Sequence, residues 1–505
     1  NASYAGVVPY LVATAYYKQK KYDELLTYAE AALSRTNLAN KMELSMLVAE
    51  ARFFKKDYAK AAAAYETYLE TYADKADGPV LYRAGYSYYS MGQDENAIKY
   101  LRKSAATSDS IGYYASYYLG ILYLKKGEKL LALNSFENTR KYDKDAQLRE
   151  EGAFQYAKVA YDAGKPDLAI TELEKFLKDY PSGSHDTEVK ELLAQAYVNG
   201  NNYNKAIEYI EKLPRRNSVM NQAYQKATYL KGAELFNKED YPNAVDYYKK
   251  SLENPIDPVY VALSSFWIGE AFSIGGKFDE AIPHYLKAVE TRGATTTDVE
   301  TKARYGLGYA FYNTKVYDRA LFNFKEFVNK TTRTSPNHVD ALVRLGDCYY
   351  VTKSYNEALA TYKRANDIGS PDNDYILLQV GTIHGILKQY DQARSSLSTL
   401  ISSYPKSTHR DDALYQRAEF EIEQGNYPVA VEGLSQLIRM APQSPLIPYA
   451  YRRRAESYRN LRQFDQAASD YAYIVNEFPT HETAKQVIVP LQETLSAAAS
   501  VCAAR

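Results

Sequence analysis

The sequence predicts an all-α solenoid of about thirteen helix-turn-helix repeats closed by one further helix. Three observations predict it. A four-residue signature, complete in nine repeats and varied in four, recurs thirteen times, a small residue precedes its last position by twelve each time, and a bulky side chain usually follows that position by four. Self-similarity at a fixed period marks a chain built from stacked units, each too small to bury its own apolar face.

The signature is an aromatic residue, two mostly polar ones and alanine, as in Tyr203-Asn204-Lys205-Ala206, Phe278-Asp279-Glu280-Ala281 and Phe464-Asp465-Gln466-Ala467. Its last residue, the anchor, falls at Leu25, Ala61, Ala97, Ala132, Ala169, Ala206, Ala244, Ala281, Ala320, Ala358, Ala393, Ala430 and Ala467. The mean spacing is about 37 residues, within the range of helical repeats. Twelve residues upstream stand Ala13, Ala49, Gly85, Gly120, Ala157, Ala194, Gly232, Gly269, Gly308, Gly346, Gly381, Ala418 and Ala455. Each repeat is therefore read as helix A, carrying the small residue, and helix B, carrying the anchor. Small residues let the two backbones approach and neighbouring aromatics fill the space beside them. Glycine inside a helix costs about 1 kcal/mol against alanine, so its recurrence at one register implies a packing reason. Proline at 181, 405, 442 and 479 ends helix B.

Repeats 1, 2 and 5 fit least well. Leu25 replaces the anchor alanine, Arg52 the helix A aromatic and Pro166 the signature aromatic. Extra residues beyond a minimal unit are assigned to loops at 73–79, 214–218, 293–298, 329–337, 369–374 and 441–448. Residues 1–480 form the solenoid. Residues 481–505 form a C-terminal capping helix with Leu491, Leu495, Ala498 and Cys502 on one face, which Pro490 either breaks or starts. The chain begins at Asn1 on a repeat-like helix, with no signal peptide or long apolar run in view, so a leader or earlier repeats can precede it.

Composition narrows the function. The 62 basic and 62 acidic residues cancel, which disfavours a nucleic-acid or anionic-membrane binder. Tyrosine is abundant at 52 residues and tryptophan occurs once. Tyrosine combines a large apolar body with a hydroxyl that can stay wet, suiting both a thin solenoid and a binding surface. Cys348 and Cys502 lie about three repeats apart, too far to bridge, and are read as free thiols. No catalytic or cofactor motif is present: HExxH, CxxC, GxSxG and the phosphate-binding GxxxxGK[ST] are all missing, and nothing supports a metal site. Gly275-Gly276-Lys277 is read as an A–B turn, Asp411-Asp412 as a helix start, and the threonines at 295–297 as loop.

The repeat resembles the tetratricopeptide repeat family, whose unit is 34 residues; the likeness runs over about residues 3–480. It implies a right-handed α-α superhelix that binds a protein or peptide in a concave groove lined by helix A, without enzymatic chemistry or cofactor. Taking the small residue as position 8, positions 5, 9 and 12 face inward. They hold Phe266, Tyr305, Tyr309, Tyr312, Tyr350, Tyr229, Phe236, Tyr86 and Tyr89, with repeat 9 aromatic at all three. Aromatics are preferred interface anchors. Repeat 13 differs, carrying Arg452 and Arg459, which suggest an acidic contact or a charged cap. The Lys-and-Asn clamp that some members use for acidic chaperone tails needs Lys at position 5 and Asn at position 9, and no repeat has either.

Segments such as Phe176-Leu177-Lys178-Asp179-Tyr180-Pro181-Ser182-Gly183-Ser184 and Glu477-Phe478-Pro479-Thr480 resemble bacterial cell-envelope members, and the Tyr/Lys/Asn-rich style is similar to long tetratricopeptide proteins of Bacteroidetes. That likeness implies a periplasmic or outer-membrane-associated scaffold. A cytoplasmic adaptor, or the non-catalytic part of a larger enzyme, are the alternatives. The partner and the oligomeric state are not legible.

Overall fold

The turn between helix A and helix B is the most regular feature of the chain. Thirteen residues adopt positive φ five positions before the anchor, one in each repeat: Lys20, Lys56, Gly92, Gly127, Gly164, Asn201, Glu239, Gly276, Lys315, Lys353, Lys388, Gly425 and Arg462. One residue later the backbone N–H returns to the carbonyl three positions past the small residue, as in Asp57 to Arg52, Lys277 to Phe272 and Gln463 to Tyr458, at 2.9, 2.9 and 2.8 Å. This left-handed closure satisfies carbonyls that a helix end leaves orphaned and redirects the chain into the next helix. Gly276 is one of these residues, so Gly275-Gly276-Lys277 is indeed an A–B turn.

The computed structural model describes residues 5–72, 76–107, 109–293 and 297–503, and the side chains of 500–503 are outside that description. Parts of the predicted loops 73–79 and 293–298, Thr295 and Thr296, and the side chain of Cys502 therefore lie outside the described residues. Among the described residues there are twenty-seven helices and no strand, paired as thirteen repeats plus Glu482–Ala503. The chain divides into two units, 1–257 and 258–505, which hold repeats 1–7 and repeats 8–13 with the last helix.

Within each unit, helix A packs on its own helix B, and helix B on the next helix A. Every anchor is fully buried, from Leu25 to Ala467. The small residue is required sixteen positions upstream of a large side chain. A Cβ on Gly120 would lie 2.7 Å from the Phe136 ring, on Gly308 2.6 Å from Phe324, and on Gly346 2.6 Å from Tyr362. The close partner of Gly308 is thus Phe324, four residues beyond Ala320 on the same helix B. Helix B ends at Asp179, Ser403, Met440 and Glu477, each two residues before a proline. Asp411 and Asp412 sit in the first turn of Arg410–Glu423, where carboxylates complement the positive helix end. Cys348 is buried, and burial pushes its thiol up to about 12.

The final helix runs through Pro490 rather than breaking there. Its inward stripe is Ala484, Val487, half-buried Leu491 and Thr494. Leu495, predicted to face inward, is 53% exposed. A stripe of spacing three and four that enters at Ala484 reaches position 494, not 495. Thr494 is accommodated there by donating its hydroxyl to the Pro490 carbonyl at 2.6 Å.

Candidate functional site

Repeat 9 builds its inner surface from helix A, Val299–Asn313. Tyr305 and Tyr309 lie one turn apart, and their rings meet edge to face at 5.1 Å. Both hydroxyls donate to one carboxylate oxygen, Oδ2 of Asp340, at 2.7 and 2.6 Å. Asp340 stands in the first turn of the next helix A, His338–Val351. Burial and this hydrogen bond push the Tyr309 phenol up to about 12 and raise Tyr305 further. The pair is therefore neutral, half-buried and fixed in orientation by the neighbouring repeat.

These rings line a cavity of about 700 Å³ within repeats 8–10, together with Phe266, Phe278, Tyr285 and Phe327. That volume is in the range of ligand-holding clefts, and an apolar lining with few polar groups is their usual character. Phe266, Tyr305 and Tyr309 are the predicted site residues that the structure brings together there.

Tyr312 and Tyr350 go elsewhere. Each packs on the aromatic that opens its own helix B, Tyr312 on Tyr317 at 5.6 Å and Tyr350 on Tyr355 at 6.2 Å. Phe236 does the same with Tyr241 at 5.0 Å. In these three repeats position 12 thus staples the A–B turn. Tyr229 lies 5.8 Å from the buried Tyr248 ring. In the first unit Tyr86 and Tyr89 join a ring cluster on Tyr118, at 4.9 and 5.0 Å. Arg452 and Arg459 hold the last helix, bonding Gln486 at 2.5 Å and Glu493 at 3.0 Å. Arg453 and Arg454 pair with Glu419 and Asp470.

As site residues, Glu270, Tyr285, Gly306 and Asp340 escaped the sequence reading, which takes Tyr285 only for the bulky side chain four past its anchor. A signal was available for the first two. Where the residue four past the anchor is Tyr, a carboxylate fifteen positions earlier often receives its hydroxyl: Tyr65 to Glu50 at 2.9 Å, Tyr285 to Glu270 at 2.6 Å and Tyr362 to Asp347 at 2.5 Å.

Among the described residues there is no group of three or more His, Cys, Asp or Glu side chains placed to hold a metal, and no helix long and apolar enough to cross a membrane. His338 is buried and shares a hydrogen bond with Thr331 at 2.8 Å, and burial lowers its pKa.

Two family models described as tetratricopeptide repeat match the chain, one over residues 155–219, 191–261, 305–373 and 415–482, the other over 80–106 and 376–407. Together they span more than half of it. The chain belongs to the tetratricopeptide repeat family. No curated protein sequence matches it. Among solved structures it is similar to a chain of the APC/C hetero-tetramer Cut9-Hcn1, at 12% identity over 92% of this chain and 98% of that one, with a TM-score of 0.32. It is likewise similar to a chain of Naa15/Naa10 bound to HypK-THB, at 12% identity over 90% and 80%, with a TM-score of 0.34. Tetratricopeptide repeats are protein-interaction modules, and their fold is typically non-catalytic.

Proposed function

We propose that this tetratricopeptide protein is a non-enzymatic scaffold that binds a protein or peptide segment in the cavity of repeats 8–10. One observation carries the reading: Tyr305 and Tyr309, cross-tied to Asp340, present fixed aromatic faces in a cavity of about 700 Å³. Rigid aromatics in a partly dry cleft are the groups that carry most of an interface's energy, with losses of about 2 kcal/mol or more for the best ones. A site on helices held by a neighbouring helix also needs little ordering on binding.

The test starts with the purified chain as bait and mass spectrometry of what it captures, followed by affinity measurement on the captured protein. Tyr309→Ala should weaken binding more than about tenfold, which is roughly 1.4 kcal/mol. Tyr312→Ala, outside the cavity, should change it little, and Arg452→Ser with Arg459→Ser should matter less than Tyr309→Ala. Loss of binding on the arginine changes with a neutral Tyr309→Ala would move the site to the C-terminal repeat.

The same proposal places the protein in a bacterial cell envelope. The support is the aromatic-Pro-small close of helix B, at Tyr180-Pro181-Ser182 and Phe478-Pro479-Thr480, together with the tyrosine-rich composition. Protease accessibility in cells with a permeabilised outer membrane tests it. Protection until the inner membrane is lysed would favour a cytoplasmic adaptor. An open reading frame that continues into a catalytic domain would make this chain the non-catalytic part of an enzyme.

A further inference from the structure

The residue after the small one in helix A is a carboxylate in five repeats, Glu50, Glu270, Asp347, Glu419 and Glu456, and for two of them the next repeat supplies the counter-charge. Glu50 follows Ala49, and Arg83, two positions before the next small residue, reaches it at 2.7 Å. Glu419 follows Ala418, and Arg453, again two positions before the next small residue, reaches it at 2.5 Å. Asp347 follows Gly346, takes hydroxyls from Tyr362 and Tyr375, and pairs with Arg344 of its own helix at 2.6 Å, as Glu456 does with Arg453. A carboxylate drawn out of water is costly unless it is paired and hydrogen-bonded, and these, from buried Glu50 and Asp347 to half-buried Glu419, are.

Glu270 follows Gly269 and is the exception. One of its two carboxylate oxygens accepts from the Tyr285 hydroxyl at 2.6 Å, and among the described residues no cation pairs with it. The residue two positions before the next small one is Gly306, so at the place of Arg83 and Arg453 there is no side chain. Even a Cβ there would lie 2.5 Å from the Tyr285 ring. Burial pushes the Glu270 carboxyl above its ordinary range, opposed by the Tyr285 hydroxyl. The two lysines that line the cavity are engaged elsewhere, Lys302 with Asp298 at 3.1 Å and Lys330 with Glu300 at 2.6 Å. The same cavity is lined by the aromatic residues Phe266, Phe278, Tyr285, Tyr305 and Tyr309.

From this geometry we infer that the cavity takes a lysine or arginine side chain of the partner segment, with its cation on Glu270 and its methylene stem along the aromatic rings. The inference rests on the cavity being the partner site. An ammonium or guanidinium fits both halves of the lining. A carboxylate in a low-dielectric cleft attracts it strongly, aromatic faces add cation–π attraction, and the stem buries apolar surface. The partner supplies the charge that Arg83 and Arg453 supply within the chain.

The experiment uses random twelve-residue peptides displayed on phage, selected in parallel on the full chain and on its Glu270→Gln and Tyr309→Ala variants. The amide of Glu270→Gln keeps an oxygen to accept from Tyr285, and circular dichroism checks that both variants fold. Selection on the unaltered chain should enrich one Lys or Arg flanked by apolar residues, and Glu270→Gln should abolish the basic preference. A selected peptide made with norleucine in place of its lysine should bind the unaltered chain at least tenfold more weakly, a comparison that needs no protein variant. Peptides that depend on Tyr309 but show no basic preference would overturn this inference and leave the cavity reading standing. A basic preference that appears only when Lys302→Gln is added also overturns it, because Lys302 would then neutralise Glu270 in the free protein. Selected peptides indifferent to Tyr309, or none selected at all, would overturn both.

Discussion

At the residue scale, the buried tyrosines four past the anchor show how one side chain serves two settings. Tyr65 and Tyr362 are fully buried and give their hydroxyls to Glu50 and Asp347. Tyr248 is as deeply buried, yet its repeat has Ala233 where the carboxylate would stand, and its hydroxyl has no hydrogen-bond partner among the described residues. Removing a hydroxyl bonded to a charged group costs about 1.5–3 kcal/mol, whereas removing an unpaired one relieves desolvation. Tyr65→Phe should therefore lower the chemical-denaturation midpoint, and Tyr248→Phe should leave it unchanged or raise it. Equal losses would show that the Tyr248 hydroxyl is satisfied. Gly308 gives a second residue-scale prediction. Leucine there must displace the Phe324 ring, which a Cβ alone already approaches to 2.6 Å, so Gly308→Leu should cost about 1–3 kcal/mol. An unchanged melting temperature would refute that packing.

At the scale of the element, the A–B turn imposes one backbone state on thirteen different residues. Only Gly92, Gly127, Gly164, Gly276 and Gly425 hold it without side-chain strain. For an L residue the left-handed region costs about 1–2 kcal/mol, and glycine's extra unfolded-state freedom offsets about 0.5–1 of that. Lys353→Gly, at φ 63°, should consequently stabilise by about 0.5–1 kcal/mol. Gly276→Ala, at φ 70°, should destabilise by a similar amount. Thermal melts of both variants check the pair, and opposite signs are the expected result. Position 12 belongs to this scale too. Phe236, Tyr312 and Tyr350, read as groove residues in the sequence, brace the turn with one side of each ring. Period alone cannot separate a side chain aimed at a ligand from one that packs on its own helix B five residues later.

For the whole molecule, the two units and their repeats predict graded unfolding. Each repeat couples mainly to its neighbours, so stability sums over repeats and interfaces instead of residing in one core. Urea unfolding followed by hydrogen exchange should show Gly308→Leu lowering protection most in repeats 8–10 and least in repeats 1–3. A uniform loss along the chain would mean a single cooperative body. The paired arginines of repeat 13 belong here as well. Arg452 and Arg459 engage Gln486 and Glu493 on the last helix, so Arg459→Ser should loosen that helix before it changes partner binding. Faster exchange confined to residues 482–499 is the expected signature.

The sequence by itself determined the helix pairs, their number, the anchor and small-residue registers and the proline stops. These are local or nearest-neighbour quantities, repeated thirteen times, so periodicity averages out exceptions such as those at Leu25, Arg52, Asp94, Lys129 and Pro166. It also pointed to Phe266, Tyr305 and Tyr309. Only the tertiary structure decided which aromatics share a cavity and which are braces, because that depends on the next repeat: Asp340 turns Tyr305 and Tyr309, and Tyr317 holds Tyr312. The same holds for Leu495, whose exposure follows from where the last helix enters its contact with repeat 13. Glu270 makes the point most sharply. A lone carboxylate in a helix is ordinary as sequence, and its lack of a counter-charge shows only against Gly306, thirty-six residues away, at the place where Arg83 and Arg453 stand in two other repeats.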